Sequence, residues 1–341
     1  MVKSFSIASF NLYNLNEPGM KMYDQDGWTD EEYEKKIVWI SSQARKAAAD
    51  VIGFQELWHR KSLENVLERS GLADEYDAIV PATANGKKIV CAALVKKGML
   101  IGGPNWIEDF PNGLRLESEG GDPQTPEIKI HLKGFSRPVL HIVVQVDQQT
   151  TPIHVFICHF KSKAPTKVFF EEWFKDNPDL YKKHAECIGA SLSTIRRTTE
   201  AAALRVILND LMKGNNTPVI VVGDLNDSTY SNTSNILTGQ PAYLVGDSLG
   251  GSDVDLYSTQ TLQEYRDTRD VYYTHVHKDI RESLDQIFVS QEFYDHSKSR
   301  LWLFQRLNVD NDHLNDDNHK ESGTNDHGII RASFIYKPFK A

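Results

Sequence analysis

The sequence predicts an α/β (α+β) fold, and three observations carry that reading. Apolar runs of strand length recur from one end to the other, among them F-S-I-A-S-F at residues 5–10 and P-V-I-V-V-G at 218–223. Amphipathic helical patterns with recognisable ends lie between them, as at 30–49 and 186–212. No repeat, linker or shift in composition divides the 341 residues, so we read one domain.

Each element has its own signal. Alternating Phe5, Ile7 and Ser6, Ala8 make residues 4–11 a first strand, ending in F-N-L-Y-N. Thr29 and Glu32 form a capping-box pattern that opens a helix over 30–49, with Ile37, Ile40, Ala44 and Ala47 on its apolar stripe. Residues 50–55 make a second strand that delivers Glu56 at its tip. A short helix over 63–70 stops at Gly71. Strands at 76–80 and 89–95 follow, joined by a turn at Asn85-Gly86.

The Gly- and Pro-rich stretch 98–126 reads as a long loop. Residues 140–146 and 153–160 form a hairpin-like pair, the second ending in C-H-F-K-S-K. The insertion 164–183 contains F-F-E-E-W-F, and its aromatics either cover a substrate or, as we expect, pack a helix on the core. After the helix over 186–212, the strand 218–226 presents Asp224 and Asn226 one residue apart. A less regular stretch runs to Tyr273. Strands follow at 284–290, 301–304 and 328–336, with an Asp/Asn/His-rich solvated loop at 308–325 before the last.

Composition limits the function classes. Forty per cent hydrophobic residues rule out global disorder, and a net charge of −9 argues against a protein that coats nucleic acid with a broad basic face. It leaves room for an enzyme that meets phosphate through a metal ion and a few local cations. Three cysteines, Cys91, Cys158 and Cys187, are too few for a disulfide framework. No apolar run approaches membrane-spanning length, so no stable membrane insertion is expected. The N-terminus lacks a signal-peptide pattern, which implies a cytoplasmic protein if the sequence is complete and a secreted one if a signal was removed.

Asn11, Glu56, His159, Asp224, Asn226, Asp285, Asp326 and His327 all fall at ends of apolar strands. Each costs desolvation unless a shared ion or partner satisfies it, so their recurrence points to one common site. With F-N-L-Y-N at Phe10, G-F-Q-E at Gly53, C-H-F-K-S-K at Cys158, G-D-L-N at Gly223, S-L-D-Q-I-F at Ser283 and N-D-H at Asn325, the chain resembles the endonuclease/exonuclease/phosphatase superfamily over nearly its whole length. The H-F-K-S-K signature, Asn14 and the R-T-T-E-A pattern at Arg197 look like its bacterial extracellular-type nuclease branch.

The resemblance implies a four-layer sandwich, two mixed β-sheets face to face with helices outside. It implies a divalent metal, usually Mg2+ with Mn2+ as the alternative, held by Glu56 with Asn11 and Asp326. His327 would be oriented by Asp285, His159 would lie across the scissile phosphate, and Asp224 and Asn226 would handle the attacking water and a phosphoryl oxygen. Asn14, Lys161 and Arg197 become candidate phosphate contacts. Tyr13 stands where abasic-site endonucleases carry an acid, and Asp227-Ser228 where inositol phosphatases carry Tyr-Arg.

The favoured expectation is a monomeric nuclease with nucleic acid as its substrate. A small phosphate ester or phospholipid headgroup on the same machinery is the alternative, and a binding module without chemistry the third. Asp310, Asp312, Asp316 and Asp317 raise a further question, a structural Ca2+. Their spacing does not match an EF-hand, and a plain solvated acidic loop is the favoured reading.

Overall fold

The computed structural model describes residues 2–23, 25–243, 253–267 and 272–340. In chain order β1 is Ser4–Leu15, α1 Asp30–Ala47, β2 Val51–His59, α2 Arg60–Ser70, β3 Tyr76–Ile79 and β4 Asn85–Lys96. Then come β5 Leu100–Asp109, β6 Leu116–Ser118, β7 Ile128–Ile130, β8 Gly134–Val144 and β9 Ile153–His159. The short helices α3 Glu172–Asp176 and α4 Pro178–Tyr181 precede α5, Ala185–Met212. The chain continues through β10 Val219–Asp224, α6 Asn232–Thr238, β11 Leu256–Ser258, α7 Thr259–Arg266, β12 His275–His277 and β13 Ile280–Glu282. It closes with β14 Asp285–Ser290, β15 Trp302–Asp310, α8 His319–Ser322 and β16 Ile329–Tyr336.

Two six-stranded mixed sheets result, in the orders β15-β16-β1-β2-β4-β3 and β11-β14-β10-β9-β8-β5. The centres of both sheets share one pattern. β1 runs parallel to β2 and antiparallel to β16, while β10 runs parallel to β9 and antiparallel to β14. The C-terminal ends of four central strands therefore emerge on one edge, beside the starts of β14 and β16.

Burial divides into three apolar clusters, one for each junction of a four-layer sandwich. Ile7, Val51 and Val95 of the first sheet meet Val155, Ile220 and Val289 of the second between the sheets. α1 and α2 cover the outside of the first sheet through Ile37, Ile40 and Leu63, and α5 covers the second through Leu204 and Leu208. The capping box at α1 is made as expected, with Thr29 accepting from the Glu32 N–H and Glu32 reaching back to the Thr29 N–H. Among the described residues no helix is long and apolar enough to cross a membrane.

Several expectations are corrected. Residues 98–126 are not one loop, since β5 pairs with β8 as the edge of the second sheet. Asn85-Gly86 is not the hairpin turn. Both lie in β4, the β3–β4 connection is residues 80–84, and Gly86 takes φ 86° where a Cβ would lie 2.2 Å from Met20 Cε. The insertion 164–183 forms broken short helices that leave Phe169, Phe170 and Trp173 exposed, with only Val168 and Phe174 packed inward. β15 extends through Asp310, and the rest of 308–325 holds a short 3-10 turn and α8. The expected irregular stretch holds α6, β11 and α7, with 244–252 and 268–271 outside the described residues.

The four loop aspartates do not converge. Asp310 pairs with Lys46, Asp316 accepts from the Asn318 N–H, and no three of the four carboxylates gather as a metal-binding group.

Candidate active site

The site is built where the strands end. Gly223 takes φ 145° beside β9, and a Cβ on it would sit 2.0 Å from the Cys158 carbonyl oxygen, so only glycine lets β10 lie against β9 there. That contact sets Asp224 level with His159 on one side and Asp285 on the other. Tyr13, Asn14, Glu56 and Asn226 all have positive φ, at 46°, 57°, 60° and 54°. For a residue such as Glu56 this conformation costs on the order of 1–3 kcal/mol, and such strain collects at functional sites.

One oxygen, Asp224 Oδ2, is the hub. Asn11 Nδ2 lies 3.1 Å from it, Asn226 Nδ2 3.2 Å, His159 Nε2 3.4 Å and His327 Nε2 3.9 Å. Asp224 Oδ1 accepts from the Asn226 N–H at 2.8 Å. His327 Nδ1 is 2.8 Å from Asp285 Oδ2, and both side chains are buried. Glu56 stands beside this group, with Oε1 3.9 Å from His159 Nε2 and Oε2 accepting from the Asn14 N–H at 2.9 Å.

The two histidines are driven to opposite protonation states. Burial, with the charges of Arg137 and His327, holds His159 well below the usual imidazole range. Burial also opposes charge on His327, but the Asp285 and Asp224 carboxylates outweigh it and hold that ring well above the usual range. Burial raises Asp224 to about 7, with Asp285 adding to the shift. A neutral and a cationic histidine flanking one carboxylate supply an acceptor and a donor at a single point.

Glu56 and Asp326 test the fit of a divalent ion. Burial raises the Glu56 carboxyl and the neighbouring charge of Asp326 raises it further, so the two repel across shared space. Asp326 Oδ1 is buried and finds no hydrogen-bond partner among the described residues. Asn11 Oδ1 accepts from the Tyr13 N–H and keeps a second lone pair. Hard oxygens with unspent acceptor capacity and excess negative charge fit such a cation.

The three expected phosphate contacts fare differently. Asn14 is half-buried, its Oδ1 accepting from Trp58 Nε1 at 3.0 Å and its backbone N–H donating to Glu56. Arg197 is buried, pairs with Asp227 at 3.1 Å and holds the Lys161 carbonyl, so it braces the loop after β9 and is not free for a phosphate. Lys161 folds its ammonium onto Ser162 and the Ala164 carbonyl, while its N–H donates to Glu200. The R-T-T-E-A pattern is a clamp, with Arg197 and Glu200 one helical turn apart gripping Lys161 by its carbonyl and its backbone N–H respectively.

Two residues escaped sequence reading. Arg137 on β8 donates to the Phe160 carbonyl at 2.9 Å, and its charge acts on His159, Glu56 and Lys161. S-R-P in an ordinary strand carries no signal for this. Lys36 of α1 is fully buried, and burial brings it down to about 7. Its Nζ lies 4.9 and 4.7 Å from the Tyr13 and Trp28 ring centres and donates to Asn325 Oδ1 at 3.0 Å. Asn325 Nδ2 in turn donates to the Asn11 carbonyl, tying the segment that carries His327 into β16 to β1. Lys36 lies one turn before Ile40 on the apolar stripe of α1, so a lysine at a core position of the helix is the signal that could have found it.

Two stacked mixed sheets with carboxylates, amides and two histidines along one edge define a deoxyribonuclease I-like fold. The chain belongs to the endonuclease/exonuclease/phosphatase family, whose model matches residues 8–307. Members of that family are generally phosphoesterase hydrolases dependent on a divalent metal, and they include nucleases and phosphatases. Among solved structures, a family protein from Bacteroides thetaiotaomicron is 16% identical, with 99% of each chain covered and a TM-score of 0.54. Truncated Caenorhabditis elegans TDP2 is 11% identical, covering 97% of this chain and 98% of that one at a TM-score of 0.55. The human Nocturnin catalytic domain, solved with a bound sulfate anion, is 13% identical, covering 99% and 96% at a TM-score of 0.53. At such identities the likeness shows the fold alone. No curated protein sequence matches the chain.

Proposed function

We propose that this protein is a monomeric, magnesium-dependent phosphodiesterase that hydrolyses nucleic acid, DNA before RNA, by in-line attack of water. The convergence of Asn11, His159, Asn226 and His327 on Asp224 Oδ2 carries the reading. Glu56 and Asp326, with Asn11, would hold the magnesium ion, which when bound neutralises charge developing on the phosphoryl oxygens. Asp224 accepts a hydrogen bond from the attacking water while Asn226 fixes that carboxylate in place. His327, oriented by Asp285, donates to a phosphoryl oxygen, and His159 faces it across the same carboxylate.

A recess beside the centre supports a polyanionic substrate. It holds about 510 Å³ and is lined by Lys21, Lys87, Lys88 and Arg137, with the rings of Tyr23 and Trp58 5.0 Å apart. Cations next to aromatic faces suit flanking phosphates and bases. The test is hydrolysis of plasmid, single-stranded DNA, RNA, bis-p-nitrophenyl phosphate and a phosphomonoester, with and without magnesium. Turnover of the monoester alone would move the assignment to a small-ester phosphatase.

A further inference from the structure

β12 lies against the segment that carries the last two site residues. His275 forms an antiparallel bridge with His327, the Gly328 N–H donates to the Thr274 carbonyl at 2.6 Å, and the two imidazole centres are 4.9 Å apart. One ring nitrogen of His275, one of His327 and a carboxylate oxygen of Asp326 all lie within 4.8 Å of one another. Two atoms of this group are unspent. His275 Nδ1 and Asp326 Oδ1 are buried with no hydrogen-bond partner among the described residues. His327 Nδ1 is held by Asp285, which leaves Nε2 as the nitrogen available to an ion.

We infer that His275, Asp326 and His327 form a second metal site, selective for a borderline ion such as zinc, whose occupancy silences the hydrolytic centre. The donor set decides the class. Two imidazoles and one carboxylate suit zinc or cobalt(II), whereas magnesium seeks oxygens. Tetrahedral bonds of about 2.0–2.2 Å place ligand atoms roughly 3.3 Å apart, so small side-chain rotations close the site. The Asp285–His327 bond is the carboxylate support usual behind a metal-bound imidazole. An ion here takes the place of the Nε2 proton of His327 and engages Asp326. It thereby removes a hydrogen-bond donor from the centre and competes with magnesium for a carboxylate. The inhibitory part rests on the proposed function; the binding part does not.

Calorimetric titration of chelator-treated protein with zinc, and the visible absorption of cobalt(II) on the same sample, test the binding. The wild type is expected to take up one tightly bound equivalent with a low-coordinate cobalt spectrum. His275→Ala and the closer isostere His275→Gln should each weaken zinc at least tenfold, with circular dichroism confirming that they fold. His277→Ala, exposed two residues along β12, should bind as the wild type does. Equal zinc affinity in the wild type and both His275 variants overturns the site. The second arm measures magnesium-dependent hydrolysis with micromolar zinc, each variant against its own zinc-free rate. Inhibition is expected in the wild type and lost in the His275 variants, and equal fractional inhibition in both overturns the silencing role. If no substrate is hydrolysed without zinc, the functional reading fails while calorimetry still decides the site.

Discussion

Replacing Asp285 by Asn removes one charge and no volume from behind His327. The native pair is buried at 2.8 Å and links a carboxylate to the ring that donates toward Asp224. A charge-assisted hydrogen bond of this kind contributes about 1.5–3 kcal/mol, and loss of one preorganised donor to a developing anion costs about 2.7–4 kcal/mol. The introduced amide also has a choice that the carboxylate lacks, because it can turn its NH₂ toward Nδ1 and so invert the tautomer. We therefore expect kcat to fall roughly a hundredfold, about 2.7 kcal/mol, with KM little changed. Asp285 acts through His327 and not on substrate, which is why the loss should sit in kcat. The assay is turnover at saturating magnesium, paired with nitrogen NMR of the His327 ring, which should report a changed proton distribution. A variant within threefold of wild type, with an unaltered His327 signal, would refute the positioning role.

Glu292 gives a pH-dependent expectation away from the site. Burial raises its carboxyl to about 7, with Ser290 Oγ donating to it. Because the folded value lies above the unfolded one, the stability this group contributes is full below about 4.5, falls as pH rises, and is lost above about 7; Glu292→Gln should therefore match wild type at pH 4 and exceed it by about 3 kcal/mol at pH 8 in urea melts. A constant difference between those pH values would contradict the assignment. Gly223→Ala should lose more than about 3 kcal/mol or fail to accumulate as folded protein, given the backbone oxygen 2.0 Å from the added Cβ, and a wild-type denaturation midpoint would count against that reading. His159→Ala and His327→Ala should each lower turnover by about two orders of magnitude, and the double variant by less than the product, because both face Asp224. Strictly additive losses would mean that the two rings serve different steps.

Much of the fold was legible because apolar period and strand-end chemistry agree. A strand such as P-V-I-V-V-G-D-L-N cannot bury Asp224 without partners, and the other motifs supplied residues of the right kind to meet it. What the sequence hid was decided by tertiary contact. β5 carries Gly102, Gly103 and Pro104, which read as loop, yet an edge strand tolerates them and its register shifts between Ile101 and Asn105. Arg197 and Lys161 have the right charge for a phosphate, but nearby backbone carbonyls and Asp227 claim them first. Arg137 lay in a strand pattern typical of an exposed cation, while Lys36 sits one turn before Ile40 on the buried face of α1, a position the sequence reading passed over. Asn85-Gly86 has the composition of a turn, while its glycine serves a position inside β4 at φ 86°, a backbone conformation other residues rarely adopt.

The central claim is that Glu56 belongs to a metal-dependent phosphodiester-hydrolysing centre assembled around Asp224. It is tested most directly by hydrolysis of plasmid DNA and bis-p-nitrophenyl phosphate as magnesium is titrated, comparing wild type with Glu56→Gln, which loses charge and not volume. We expect magnesium-dependent cleavage by the wild type, abolished by chelator, and a loss of at least about a hundredfold in Glu56→Gln with its thermal midpoint retained. Activity in Glu56→Gln within a few-fold of wild type at saturating magnesium would contradict the account.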